Sequence, residues 1–223
     1  MIYCALIADV ISSKKINHEE RRSLQIVLSD VLNEINNEYS AEIAAGFTLT
    51  LGDEFQGLLS DAGIVYEIAE KLQHTAMPYT LRFGIGIGEI YTDITRQWAI
   101  AADGPAYYMA RESLDIIKSE KIINEFPVYI KTGESDEGLL NTALEYVSEI
   151  FSDWSEKQRH AVFAEQFGGQ TREETAQMLG ISTSSLSRRL TAAKYDKYIR
   201  TKKILSEYLH EKYRQEPEES QQP

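Results

Sequence analysis

Hydrophobic periodicity changes several times along the first half of the chain, in an order that few folds accommodate. An apolar run at 2–8 gives way to spacings of three and four through Leu24, Val27, Leu28, Val31, Leu32 and Ile35, the pattern of a strand followed by an amphipathic helix. Phe47 to Leu51 alternates as a strand, Gly52-Asp53 is a hairpin-type turn dipeptide, and Phe55 to Leu59 resumes the apolar pattern. Helical spacing returns over 62–74, and 79–91 reads as a strand with Gly84, Gly86 and Gly88 on one face, where a helix can pack closely. Asp103-Gly104-Pro105 then precedes a helix through Tyr108, Ala110, Leu114 and Ile117, and Val128-Tyr129-Ile130 is the last strand. The order β-α-ββ-α-β-α-β predicts an α/β sandwich, ferredoxin-like in class, with helices covering a mostly antiparallel sheet.

Beyond a turn-rich break at 133–136 the signals are helical. Leu139, Leu140, Leu144, Val147 and Ile150 mark a connecting helix, and Ser155-Glu156-Lys157-Gln158 and Thr171-Arg172-Glu173-Glu174 both fit the capping box. Ala176, Gly180, Ile181 and Ser182 supply a small residue at a helix crossing, a turn residue tolerant of positive φ, and a helix cap, which together predict a helix-turn-helix. The expected division is an α/β domain at 1–135, a connecting helix at 136–152, an all-α helix-turn-helix domain at 153–214, and a disordered tail at 215–223.

Charge follows the same division. The chain of 223 residues carries a formal net charge of −12, which as one number argues against a nucleic-acid partner. By segment, residues 1–151 carry −13, residues 152–214 carry +4 and residues 215–223 carry −3. Only the second segment can approach a polyanion without repulsion. Cys4 is the only cysteine, which excludes an internal disulfide framework and a cysteine zinc site and points to a reducing, cytoplasmic compartment. The apolar N-terminus ends at Asp9, far short of a membrane span, so no membrane insertion is expected.

In a helix-turn-helix the second helix enters the major groove. Its outward residues here would be Thr183, Ser184, Ser185, Ser187, Arg188 and Lys194, with Arg189 near the boundary and Arg172 on the preceding helix. Hydroxyls and arginines in that pattern suit phosphates and base edges, so DNA is the expected partner. The long helix at 195–213 either closes this module or pairs two chains, and half-site reading favours a homodimer. In the first half, Asp9 at a strand end and Asp53 at the hairpin tip would face one point. Two carboxylates with neither cysteine nor clustered histidine suit Mg²⁺ held with a nucleotide. Ser12, Ser13 and Lys14, at the opening of the first helix, would add an anion site, with Gly52 and Glu54 beside it.

Asp9-Val10-Ile11, Leu51-Gly52-Asp53, Leu81 to Gly88 and Gly104 to Ala110 resemble, in matching order, signature segments of class III nucleotidyl cyclases, and Leu51 to Phe55 resembles the GGDEF domain of diguanylate cyclases. Trp154 to Lys194, with Gln158-Arg159, Ala176, Gly180, Ile181 and Ser182, is similar to bacterial sigma factor region 4. The full chain resembles the bacterial SatD family. The cyclase resemblance implies a nucleotidyl-cyclase-like fold with Asp9 and Asp53 as metal ligands. It also shows what has been lost: Leu49 stands where a base-selecting lysine or glutamate belongs, Tyr108 and Glu112 where the catalytic asparagine and arginine belong, and Arg111 is one residue out of register. No catalytic residue is assigned. The reading is a DNA-binding transcriptional regulator with a degenerate cyclase-like ligand-sensing domain. The alternatives are a Mg²⁺-dependent cyclase or other nucleotide-processing enzyme, and a protein-interaction adaptor.

Overall fold

The computed structural model describes residues 1–50, 52–95, 102–120, 124–168 and 171–214, without the side chain of Lys14. The tail expected to be disordered and the Leu51 position of the GGDEF-like segment lie outside the described residues. Five strands, β1 (Ile2–Val10), β2 (Ile43–Leu49), β3 (Glu54–Leu59), β4 (Leu81–Glu89) and β5 (Val128–Lys131), form one mixed sheet in the order β2-β3-β1-β4-β5. β1 lies in the centre, antiparallel to β3 and β4, and only β5 runs parallel to its neighbour β4. The first four strands with α1 (His18–Glu38) and α2 (Val65–Ala76) make two interleaved β-α-β units, and α3 (Pro105–Ser119) crosses from β4 to β5.

Strand alternation sorts the core into two layers. Cys4, Leu6, Ala8 and Val10 of β1 pack with the buried stripe of α1, Leu24, Leu28, Val31, Leu32 and Ile35, and with α2. Ala5 and Ile7 face the other way, onto Ala106, Tyr107, Ala110 and Leu114 of α3. The glycines of β4 set how close α3 comes. A Cβ on Gly84 would lie 2.2 Å from the Ala110 carbonyl oxygen, and one on Gly86 2.1 Å from that of Ala106. Only bare backbone fits, so α3 lies directly along β4. Tyr107 is buried against the sheet, whereas Tyr108 is exposed and donates to Asp103.

The second half is helical throughout: α4 (Glu137–Ser152), α5 (Glu156–Phe167), α6 (Arg172–Met178), α7 (Thr183–Ala192) and α8 (Tyr195–Tyr213). Ser155 and Thr171 each form a complete capping box at the start of α5 and α6. Between α6 and α7, Gly180 takes φ +63°, Ile181 N–H donates to the Ala176 carbonyl at 3.0 Å, and the Ser182 hydroxyl accepts from Ser185 N–H. That left-handed turn favours glycine. Trp154 locks the unit by donating its indole N–H to the Ala193 carbonyl at 2.8 Å while packing edge-on against Tyr198.

These helices share a core with the α1–α2 side of the sheet. One apolar cluster runs from Cys4 through Phe126, Phe151, Trp154 and Phe163 to Leu209. The fully buried Glu70 of α2 accepts from Tyr198 at 2.8 Å and pairs with Lys202, both on α8, and Gln166 of α5 donates to it at 3.1 Å. A buried ion pair left with one member is strongly destabilising, so this network fixes how α2, α5 and α8 meet.

Candidate functional site

The residues expected to bear on function fall in two groups, one at the end of β1 and one on and beside α7. At the first, β1 pairs Asp9 with Glu54 on β3 and with Arg82 on β4. Residues directly opposite each other on adjacent strands share a face, so Asp9, Glu54 and Arg82 stand in a row beneath the C-terminal half of α3. The glycine-lined path along β4 carries Arg111 and Lys118 of α3 over this row. Arg82 grips Asp9 with two bonds, Nε to Oδ1 at 2.7 Å and Nη2 to Oδ2 at 3.0 Å, and Lys118 Nζ lies 3.0 Å from the same Oδ2. Arg111 is bidentate on Glu54, at 2.5 and 2.7 Å. The hydrogen bonds that Arg111 donates to Glu54, and the negative charge of that carboxylate, raise the Arg111 pKa above the ordinary arginine value, against the opposing effect of burial.

This arrangement corrects the expected metal centre. Glu54, directly opposite Asp9 on β3, joins it on the α3 side, whereas Asp53 lies in the turn before β3 begins. Asp53 sits half-buried in the hairpin turn. Asp9, the other expected ligand, already has both oxygens committed to a guanidinium and an ammonium. A divalent cation there would meet two positive charges within hydrogen-bonding distance of its ligand, a large Coulomb penalty in a partly buried setting. Asp9, with both oxygens held in this way, does not fit Mg²⁺, and among the described residues no three His, Cys, Asp or Glu side chains converge to hold a metal ion.

The expected anion site is also displaced. Residues 13–15 form a 3-10 turn and α1 begins only at His18, with Asn17 as the cap that accepts from Glu20 N–H at 2.9 Å. Ser12 takes φ +59°, and the Ser13 carbonyl is bonded by Arg21 at 2.7 Å. The reason is local: the 3-10 turn separates Ser12 and Ser13 from α1, and the first amides of that helix are capped by Asn17 instead. Gly52, with φ +79°, makes the hairpin turn, and its carbonyl accepts from Gln25. At the positions carried over from the cyclases, Leu49 packs against the core and Glu112 pairs with Lys131 at 2.8 Å.

On α7, Leu186 and Leu190 are buried, whereas Thr183, Ser184, Arg188 and Lys194 are exposed and Ser185, Ser187 and Arg189 half-buried. The cations differ in their surroundings. Arg172 pairs with Glu165 at 2.9 Å and Lys194 with Asp153 at 3.3 Å. Arg188 donates to the Ser185 hydroxyl at 3.2 Å, and among the described residues neither Arg188 nor Arg189 has a carboxylate partner.

Sequence reasoning missed Arg82, Arg111 and Lys118 as occupants of the first group, and it missed Glu70 with Lys202. Arg82 carried a usable signal, since it is the one charged residue inside the apolar strand 81–88. Glu70 and Lys202 are joined only by the tertiary fold.

The sequence matches the SatD family over residues 3–209. The chain belongs to the SatD family. No curated protein matches this SatD family member. Among solved structures it is similar to the catalytic core of a rhodopsin-guanylyl cyclase with converted specificity in complex with ATPalphaS, at 13% identity over 58% of this chain and 76% of that one, with a TM-score of 0.44. A bacterial light-regulated adenylyl cyclase matches at 11% identity over 58% and 74%, with a TM-score of 0.43. The regulator of polyketide synthase expression from Bifidobacterium adolescentis matches at 12% identity over 96% and 82%, with a TM-score of 0.30. No helix among the described residues is long and apolar enough to cross a membrane.

Proposed function

We propose that this SatD family member is a DNA-binding transcriptional regulator in which residues 153–214 read DNA through α7 and residues 1–135 form a cyclase-like sensing domain without cyclase catalysis. One observation carries the reading: among the described residues α7 presents Arg188 and Arg189 with no carboxylate to neutralise them, beside the hydroxyls of Thr183, Ser184 and Ser185 at the helix start. Unneutralised arginines on an exposed helix, in a segment of net +4, are what phosphate and guanine contacts require. The left-handed turn at Gly180 between α6 and α7 supports the same reading. Cyclase chemistry has less support, because Asp9 is bound by Arg82 and Lys118 and the positions for base selection and transition-state stabilisation hold Leu49, Tyr108 and Glu112.

The test is enrichment of duplexes from a random-sequence library on the full chain, followed by anisotropy titration of a recovered duplex across a salt series. The expected result is a bound motif whose affinity falls steeply with salt. Failure to enrich any duplex at low salt, with the protein folded, would overturn the reading.

A further inference from the structure

α4 and α8 lie side by side and antiparallel. Just past the end of α4, Trp154 bonds the Ala193 carbonyl before α8; at the other end Asp136 accepts from Tyr208 at 2.5 Å and pairs with Lys212 at 2.8 Å. Each helix buries one stripe in the common core: Leu140, Leu144 and Val147 on α4, and Tyr198, Leu205 and Leu209 on α8. The sequence left open whether α8 closes the module or pairs two chains, and this stripe closes it. The adjoining stripe stays uncovered. Leu139 is 75% exposed and Tyr146 45% on α4, while Ile204 is 59% and Tyr208 39% exposed on α8. Spacings of seven and four residues keep each pair on one side of its helix.

The edges of this apolar strip carry opposite charge. Glu145 and Glu149 are exposed on α4, and Lys197 and Arg200 are exposed on α8. Among the described residues, none of these four side chains has an ion-pair or hydrogen-bond partner, although most neighbouring charges on α8 do. Because the helices are antiparallel, all four lie toward the Trp154 end.

We propose that this face joins two copies of the chain in an isologous dimer, closing a four-helix bundle from two α4–α8 pairs. A two-fold axis running along the helices sets α4 of one copy over α8 of the other at the same height. Glu145 and Glu149 then meet the partner's Lys197 and Arg200. An axis across the helices would instead set α4 on α4 and α8 on α8, leaving the acids of α4 without the partner's cations opposite them, so the charges select the first geometry. That same axis brings both α7 helices to one end of the bundle, since each α7 joins its α8 at Lys194. A two-fold DNA site needs that placement. The interface itself rests on the apolar strip and its charged edges and does not depend on DNA.

The experiment is the mass of the full chain in solution without DNA, by sedimentation or light scattering. The unaltered protein is expected at twice the chain mass. Ile204→Glu, with helix content checked by circular dichroism, should yield monomer. Glu145→Lys with Glu149→Lys should weaken the dimer at least about tenfold, and adding Lys197→Glu with Arg200→Glu should restore it. A monomer throughout the micromolar range overturns the proposal, as does a dimer that ignores both Ile204→Glu and the charge reversal. A dimer that behaves as expected but captures no duplex would fail only the DNA reading.

Discussion

The cations beneath α3 and those on α7 are the same residue types in opposite circumstances. Arg82, Lys118 and Arg111 are each bound to a carboxylate of the sheet, Asp9 or Glu54, at 2.5–3.0 Å, whereas Arg188 and Arg189 meet no acid among the described residues. A charge that the fold has already neutralised holds the fold together; one that it leaves unpaired is free for a partner. Sequence motifs alone assign function to both regions. The comparison is the ground on which we propose the second.

The largest expected effect separates the two directly. Arg188→Ala with Arg189→Ala should reduce affinity for a selected duplex about 100-fold and lower the salt slope by about two, with the denaturation midpoint nearly unmoved. Unchanged affinity would return α7 to the role of a solvated face. Arg82→Met should show the converse. Asp9 would keep only Lys118, the cost in stability should be about 2–3 kcal/mol, and DNA affinity per folded molecule should be unaffected. Urea denaturation and anisotropy on the same preparations check both halves of the comparison.

A third position, His74 of α2, carries no charge at neutral pH. Its ring stacks on Phe163 of α5 at 3.7 Å, and burial, followed by the positive charges of His160 and Arg159, pushes its pKa down to about 4. Between that value and the ordinary 6.5 the unfolded chain binds the extra proton and the folded one does not. Stability contributed by this site is therefore complete at neutral pH and declines as pH falls through that window. His74→Gln should flatten this part of the stability profile, measured as denaturation midpoints at several pH values. An unchanged slope would mean that the acid sensitivity arises elsewhere.

How much of this was legible depended on the range of the interaction. The strand and helix order, the close approach along Gly84 and Gly86, and the capping boxes at Ser155 and Thr171 rest on spacing and near neighbours, and all appear in the structure. The site at the end of β1 was half legible. Asp9 lies where alternation puts it, but that Glu54 shares its face depends on the register of β3 against β1, which a shift of one residue would reverse. Ser12 and Ser13 do not open α1, because a 3-10 turn intervenes and Asn17 caps the helix four residues further on. Partners from distant segments, Lys118 for Asp9 and Lys202 for Glu70, left no local trace.

The smallest expected effect also tests the comparison most sharply. If Arg82 and Lys118 supply the positive charge that Asp9 requires, millimolar Mg²⁺ or its removal by chelator should leave the thermal midpoint of the unaltered protein where it was. Removing the cations should change that. In Arg82→Met combined with Lys118→Met, Asp9 faces Glu54 with only Arg111 nearby, and two carboxylates on neighbouring strands then lack half their neutralising charge. A divalent cation binding the folded form alone raises stability by RT ln(1 + [L]/Kd), about 1 kcal/mol when the cation stands a few-fold above Kd. The double variant should therefore melt lower than the unaltered protein and recover part of the loss on addition of Mg²⁺. A midpoint that rises with Mg²⁺ in the unaltered protein, and falls back when Asp9→Asn is introduced, would show that the ion pairs open to admit a metal. The α3 cations would then stand beside those of α7, available to a partner.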